Sequence, residues 1–399
     1  MALQLHKDFA PVPLSGDEEK LSISALGLFV VTILLLAFGL TMLYSASYTT
    51  SGISFFKKQL IWIMGGITGG SFLFIIGYRR VCSCKELLLF LCWGLLIAAL
   101  FFEPVKGARR WIRFALPLLG EVSLQPSELT KLALCIFTAG YCASFSRSFY
   151  RLRHPQGLLI PGAMILITGS LIWAGKDMGT TLLVLTTAGA ILLAAGLPLR
   201  YALVGGGAAL LYFGAKVLTN PERLSRVVII ADPAKDGLGE GYQLYRSLIA
   251  LGSGGWLGLG LGESRLKNDY LPEPHTDFIL SVVGEELGII ALWLVILLYL
   301  LWGFFAMRIA VRAHSKLGML LAFGLTIAVQ LQALINLAVV SGSIPTKGMP
   351  APFISYGGSN VMCSILAVSL LLSVAMETLR PGYSDAILES FKRKFRKNK

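Results

Sequence analysis

Apolar residues fall along this chain in long runs broken by short polar connections. Ten runs are long enough, or nearly so, to cross a bilayer at about 20 residues each. They lie near 23–46, 58–77, 86–102, 126–145, 157–173, 179–196, 201–218, 277–304, 317–341 and 359–378. The pattern predicts an all-α, polytopic membrane protein. Its parts are a tail over 1–22, a transmembrane domain over 23–378 and a basic tail over 379–399. Met1 to Lys20 is polar, with Asp17, Glu18 and Glu19 just ahead of the first run. No small-residue cleavage site follows a short apolar core, so the first run is expected to stay as a span.

The connections set the orientation. Alternate loops carry Arg79, Arg80 and Lys85; Arg147, Arg151 and Arg153; Arg200; then Arg308, Arg312 and Lys316. The tail adds Lys392, Arg393, Lys394, Arg396, Lys397 and Lys399. Basic loops face the cytoplasm, and an even number of spans puts both termini there. The tail could also meet anionic lipid, or serve only as a topology anchor. The opposite loops are then extracytoplasmic: 103–124, a large one over about 219–276 between the seventh and eighth spans, and 342–358.

Composition agrees: 55% of residues are hydrophobic and only 14% charged, where a soluble chain carries about a quarter charged. The net charge of +13 does not indicate nucleic acid, because the basic residues sit where membrane topology wants them. Cys82 and Cys84 form a lone C-x-C, a weak metal signal, and read as reduced thiols beside the other four cysteines.

Chemistry gathers on the outer side. The stretch from Arg265 to Gly288 carries Glu273, His275, Asp277, Glu285 and Glu286 where a polar segment turns apolar. Carboxylates are costly near hydrocarbon, so such a cluster marks a functional site. Asp277 should open a membrane helix, with Thr276 able to cap it; the alternative is an acidic first turn beside a solvated loop. Asp277, Ser281 and Glu285 share one helix face, while Glu286 lies about 100° round; one of the two glutamates is expected to anchor the bundle. Lys106, Arg109, Arg110 and Arg113 act against topology, and clustered arginine suits phosphate; a lipid-headgroup patch is the alternative.

Further polar groups lie in or beside spans. The fourth run opens Q-P-S-E-L-T-K-L, placing Glu128 and Lys131 on one face. They are either a paired structural ion or a cation facing a cavity, and the cavity is the favoured reading. Asp177 reads as a helix cap. Gly241 to Leu251 has the spacing of an amphipathic helix at the outer interface. The glycine-rich segment after it lacks a preceding strand, which argues against dinucleotide binding; close backbone packing or a re-entrant turn is expected instead. In the last outer loop Lys347 could supply a cation, and Ser355, Tyr356 and Ser359 hydroxyls.

Taken together, K-G-A-R-R-W-I, L-Q-P-S-E-L-T-K, G-E-G-Y-Q-L, L-P-E-P-H-T-D-F, V-V-G-E-E-L-G and P-T-K-G-M-P-A-P-F-I-S-Y-G-G-S resemble the SEDS family (shape, elongation, division and sporulation; FtsW, RodA and SpoVE). The resemblance implies a ten-span enzyme of the bacterial inner membrane that polymerises lipid II into peptidoglycan glycan strands. Pro345-Thr346-Lys347-Gly348 resembles the cell-division branch, FtsW, more than the elongation branch, RodA, which implies a place at the septum. The family's essential aspartate falls on Asp277, and its glutamate and lysine of the fourth span fall on Glu128 and Lys131. A class B penicillin-binding protein and other divisome membrane proteins are the implied partners. The hairpin at 175–180 departs from the family's Q-P-D-L-G-T: Gly175 and Lys176 replace its first two residues.

Joining a lipid-linked sugar diphosphate to an acceptor sugar needs a base and a stabilised leaving group. On this reading Asp277 is the general base. Arg109, Arg110, Lys131 and Lys347 hold the diphosphate, His275 and Glu128 orient them, and Trp111 and Ser355 complete the substrate site. No cofactor is firmly implied, although a divalent cation, Mg or Mn, could assist at the diphosphate. One displacement inverts the anomeric centre. Rival readings are a transporter that flips lipid II and a scaffold that activates a partner.

Overall fold

The computed structural model describes residues 16–105, 107–116, 120–144, 157–230, 233, 241–265, 275–346 and 348–397. In chain order its elements are α1 Gly16–Ser51, α2 Ser54–Ile76, α3 Tyr78–Ser83, α4 Lys85–Leu100, β1 Ile112–Leu116, β2 Gly120–Leu124, α5 Pro126–Ser144, α6 Leu159–Ala174, α7 Met178–Ala194 and α8 Leu199–Leu218. They continue with α9 Pro221–Val228, α10 Tyr242–Gly254, α11 Ile279–Arg312, α12 Lys316–Val340, α13 Gly358–Leu379 and α14 Tyr383–Lys397. Every predicted apolar run coincides with one helix, and the chain is an all-α polytopic membrane protein. Among the described residues, α1, α2, α8, α11, α12 and α13 are long and apolar enough by themselves to cross a membrane.

The bundle is built around α5. Nearly all of its residues from Pro126 to Cys142 are buried, and it packs on α4, α7, α12 and α13. A helix surrounded by other helices can carry a charged pair that lipid would not tolerate. At the opposite extreme, α8 buries only Phe213.

Three local features differ from the sequence expectation. The outer loop after α4 contains an antiparallel hairpin, with Ile112 opposite Leu124 and Phe114 opposite Val122; β-branched and aromatic residues suit a strand. The eighth span is broken at Gly288, whose φ of 78° and ψ of −177° suit glycine alone. The glycine-rich segment inserts at that break. Leu259 N donates to Glu285 O (3.0 Å), Gly260 N to Glu286 O (2.9 Å), and Ile289 N donates to Gly255 O (3.0 Å). Backbone groups freed by a broken span thus find partners inside the protein. A Cβ on Gly258 would stand 2.1 Å from Glu286 O, so these glycines do serve close backbone packing. Finally, α10 does not merely lie at an interface. It packs its Leu244, Ser247 and Ala250 face on α11, with Ser247 Oγ 2.7 Å from Ser281 Oγ.

The loops expected in the cytoplasm meet at one end. Arg79 pairs with Glu377 at 3.4 Å, Arg80 pairs with Asp385, and the Tyr78 hydroxyl lies 2.7 Å from Ser315 Oγ. Burial pushes the Cys82 thiol up to about 12, which makes it unsuited to thiolate chemistry, while Cys84 is exposed and free.

Candidate active site

At the other end the outer loops enclose a cavity of about 380 Å³. Its wall combines the β-hairpin, the start of α2, residues 275–277 and the loop that leads into α13. Asp277 is the single acidic side chain among the described lining residues, and Lys58, Arg110 and Arg113 are the basic ones.

Asp277 is half-buried and stands two residues ahead of α11. Phe278 occupies the cap position of that helix without a side-chain cap bond, so Thr276 does not take the capping role expected of it. Gly348 lies beside Asp277: a Cβ there would be 2.7 Å from Asp277 Oδ2 and 3.8 Å from Arg110 Nη2. The missing side chain lets carboxylate and guanidinium share one space.

Arg110 is held from behind. Its Nη1 is 3.9 Å from Asp177 Oδ1. Asp177 accepts from Thr180 N at 3.2 Å, which is the expected cap of α7. Its other oxygen accepts from Gln125 Nε2 at 3.1 Å and Ser127 Oγ at 3.3 Å. The cap therefore doubles as an anchor for the cation. The departure at Gly175 also fits: a Cβ there would lie 2.8 Å from Arg109 O.

One wall is aromatic. Phe55 stacks on His275 with ring centres 4.2 Å apart, and Tyr356 meets Phe55 edge-on at 4.8 Å. Tyr356 N donates to His275 O at 2.9 Å. Burial pushes the Tyr356 hydroxyl above its ordinary value, so it stays a neutral donor. Trp62 and Trp111 also line the cavity. Trp62 Nε1 would be 2.0 Å from a Cβ on Gly358, which explains the glycine at 358.

The structure brings Asp277, His275, Arg110, Arg113, Trp111 and Tyr356 together on the cavity wall, and Glu128, Lys131, Arg109, Ser355 and Ser359 are not among its lining residues. Glu128 and Lys131 are buried below the cavity rather than on its wall. They pair at 2.8 Å, Asn360 Nδ2 donates to Glu128 at 3.0 Å, and Lys131 Nζ donates to Gln332 Oε1 at 2.5 Å. The reading of Lys131 as a cavity-facing cation gives way to the paired ion, because its partners come from its own and neighbouring helices. Arg109 is exposed and donates to Leu100 O at 3.2 Å, outside the cavity lining. Ser355 is buried and closes a turn, with its Oγ accepting from Ala351 N at 2.8 Å. Ser359 likewise accepts from Gln125 N at 2.8 Å. Lys347 and Lys106 lie outside the described residues, as does Glu273.

Both glutamates of α11 are anchors, where only one was expected. Glu285 accepts from Ser264 Oγ and from Arg265 N (3.1 Å). Glu286 accepts from Ser45 Oγ at 2.6 Å and Ser264 N at 3.4 Å. Sequence reasoning missed Lys58, Trp62 and Asn360 of the cavity. Lys58 carried a signal, since a basic residue in the first outer loop also runs against topology.

Among the described residues no group of three or more His, Cys, Asp or Glu side chains gathers to hold a metal. One carboxylate is a poor cage, yet it suits a magnesium-like ion whose other ligands are substrate phosphates and water.

A family model described as "Cell cycle protein", covering FtsW, RodA and SpoVE, matches residues 25–380. The chain is 38% identical over 358 residues to the "Probable peptidoglycan glycosyltransferase FtsW" of Trichlorobacter lovleyi, covering 87% of this chain and 92% of that one. It is 36% identical over 360 residues to the "Stage V sporulation protein E" of Bacillus subtilis, covering 87% and 96%. Among solved structures it matches a chain of a peptidoglycan synthase complex concerned with coordination of polymerization and crosslinking. The TM-score is 0.74 at 26% identity, over 89% of this chain and 98% of that one. The rod shape determining protein RodA of Thermus thermophilus shares the fold, with a TM-score of 0.64 at 23% identity over 88% and 96%. With helices, outer cavity and ordered motifs all in agreement, this chain belongs to the FtsW/RodA/SpoVE family of cell cycle proteins, the SEDS family that its motifs resemble.

Proposed function

We infer that this chain is a peptidoglycan glycosyltransferase that extends glycan strands from lipid II, with Asp277 as general base. The observation that carries the reading is one half-buried carboxylate beside Arg110 at Gly348, in a cavity whose described lining also holds Lys58, Arg113 and several aromatic rings. The acceptor sugar's 4-hydroxyl attacks the donor's anomeric carbon and gives its proton to Asp277. The bond from that carbon to the lipid diphosphate breaks in the same displacement, with inversion. The negative charge leaving with the diphosphate meets Arg110, Arg113 and Lys58, preorganised donors of the kind that stabilise developing charge. Among the described cavity residues Asp277 would be the one to hold a divalent cation, which would supply charge neutralisation for the leaving group. Trp111, Trp62 and the Phe55–His275 stack offer flat apolar faces to sugar rings.

The ten predicted spans, with both termini in the cytoplasm, would place the cavity at the outer leaflet. There the lipid tails can stay in the bilayer while the sugars meet outside. A single-span class B penicillin-binding protein is the expected partner, in keeping with the crosslinking complex to which the chain is similar. The Pro345-Thr346-Lys347-Gly348 segment favours division and a septal location over elongation; a tagged copy seen on the side wall alone would reverse that assignment. The catalytic reading is tested with purified Asp277→Asn protein supplied with lipid II. Folded but inactive protein is expected, and polymer formed at the unsubstituted rate would refute the role of Asp277.

A further inference from the structure

We propose that Asn336, on α12, is a positioning residue that sets Asp277 against the last outer loop. It is buried, with 1% of its surface exposed. Its Nδ2 donates both hydrogens to backbone carbonyls of two different loops, Asp277 O at 2.9 Å and Met349 O at 2.7 Å. These are the loops that meet at Gly348, where the Asp277 carboxylate occupies the place of a side chain. One amide therefore fixes the separation of the two walls at the point where the carboxylate lies.

The neighbouring turn of α12 supports the same task. Gln332, four residues earlier and on the same face, donates from Nε2 to Pro350 O at 3.0 Å. Its Oε1 accepts from Lys131 Nζ. An ammonium can only donate, so Lys131 determines which way the Gln332 amide faces and directs its N–H group at the loop. The buried ion pair thus acts on the cavity through the loop backbone, without facing the cavity. No apolar residue at 336 could satisfy two buried carbonyls, and an aspartate would repel both.

The inference rests on the assignment of Asp277 as base, so its test has one arm that needs no turnover. In full-length protein carrying Cys84→Ser, which removes the exposed thiol, Asp277→Cys is reacted with a small charged thiosulfonate. Adding Asn336→Ala is expected to change the labelling rate by about fivefold or more, since thiol reactivity follows exposure and surroundings. An unchanged rate overturns the proposal. In the second arm, Asn336→Ala with Asp277 intact is expected to lower kcat about 10–100-fold with the KM for lipid II within about threefold. A raised KM at unchanged kcat would make Asn336 a substrate contact and overturn the proposal. Asn336→Gln keeps the amide one methylene out of place and should show the same kcat loss if the alanine variant does not fold. Labelling that depends on Asn336 alongside a fully active Asp277→Asn would sink the base assignment alone and leave the positioning intact.

Discussion

Asp277 and the Glu285–Glu286 pair lie within ten residues of one another on one apolar stretch, and the structure gives them opposite surroundings. The two glutamates are buried, and the hydroxyls of Ser45 on α1 and of Ser264, with the backbone N–H groups of residues 264 and 265, donate to their carboxylates. Asp277 is half-buried, with its side chain on the wall of an open cavity and a guanidinium nearby. A carboxylate taken out of water must be satisfied by the protein. Once its oxygens are occupied it holds a backbone in place, and little remains for a substrate proton. The Glu128–Lys131 pair follows the same rule with a cation as its partner. Acid side chains near this end of the bundle are therefore of two kinds, and burial separates them better than sequence position does.

The contrast can be broken by substitution. Asp277→Asn should lower lipid II polymerisation about 10²–10⁴-fold, the range of a general base, while the thermal unfolding midpoint in detergent stays where it was. Lys131→Met should do the reverse in kind. It leaves Glu128 buried without its cation, at a cost of about 3–5 kcal/mol, and should be seen as a lowered midpoint and poor recovery from the membrane. Gly288→Ala strains a glycine-only conformation and brings a Cβ to 2.4 Å from Trp256 O; a loss of about 1–3 kcal/mol is expected by the same measurement. Arg109→Ala should change polymerisation less than about twofold, because an exposed side chain outside the cavity contributes little. A large rate loss for Arg109→Ala with normal stability would erase the distinction between cavity and periphery.

Much of this was legible beforehand. Runs of about 20 apolar residues have few alternatives to a membrane helix, and each of the ten lies on a helix, six of them long and apolar enough by themselves to cross a membrane. Basic residues in a loop predicted to be extracytoplasmic pointed to Lys106, Arg109, Arg110 and Arg113, since charge against topology needs another cause, and of these Arg110 and Arg113 line the cavity while Arg109 does not. The i, i+4, i+8 spacing of Asp277, Ser281 and Glu285 named a shared face. It could not reveal that Ser247 of α10 covers Ser281 and that Ser264 covers Glu285. The break at Gly288 was hidden too, because glycine is frequent in membrane helices and the break is stabilised by a segment some thirty residues away.

The chain's own letters determined that it is helical, that it crosses a membrane repeatedly, which side its loops favour and which family it resembles. These follow from hydropathy, charge placement and local spacing, which are properties of neighbours in sequence. Tertiary structure alone decided that Arg110 faces the cavity while Arg109, the next residue, turns to Leu100 O, and that Lys131 is held between Glu128 and Gln332, off the cavity wall. Those outcomes depend on which distant helix lies within hydrogen-bonding reach, and a buried polar group takes the partner that packing delivers to it.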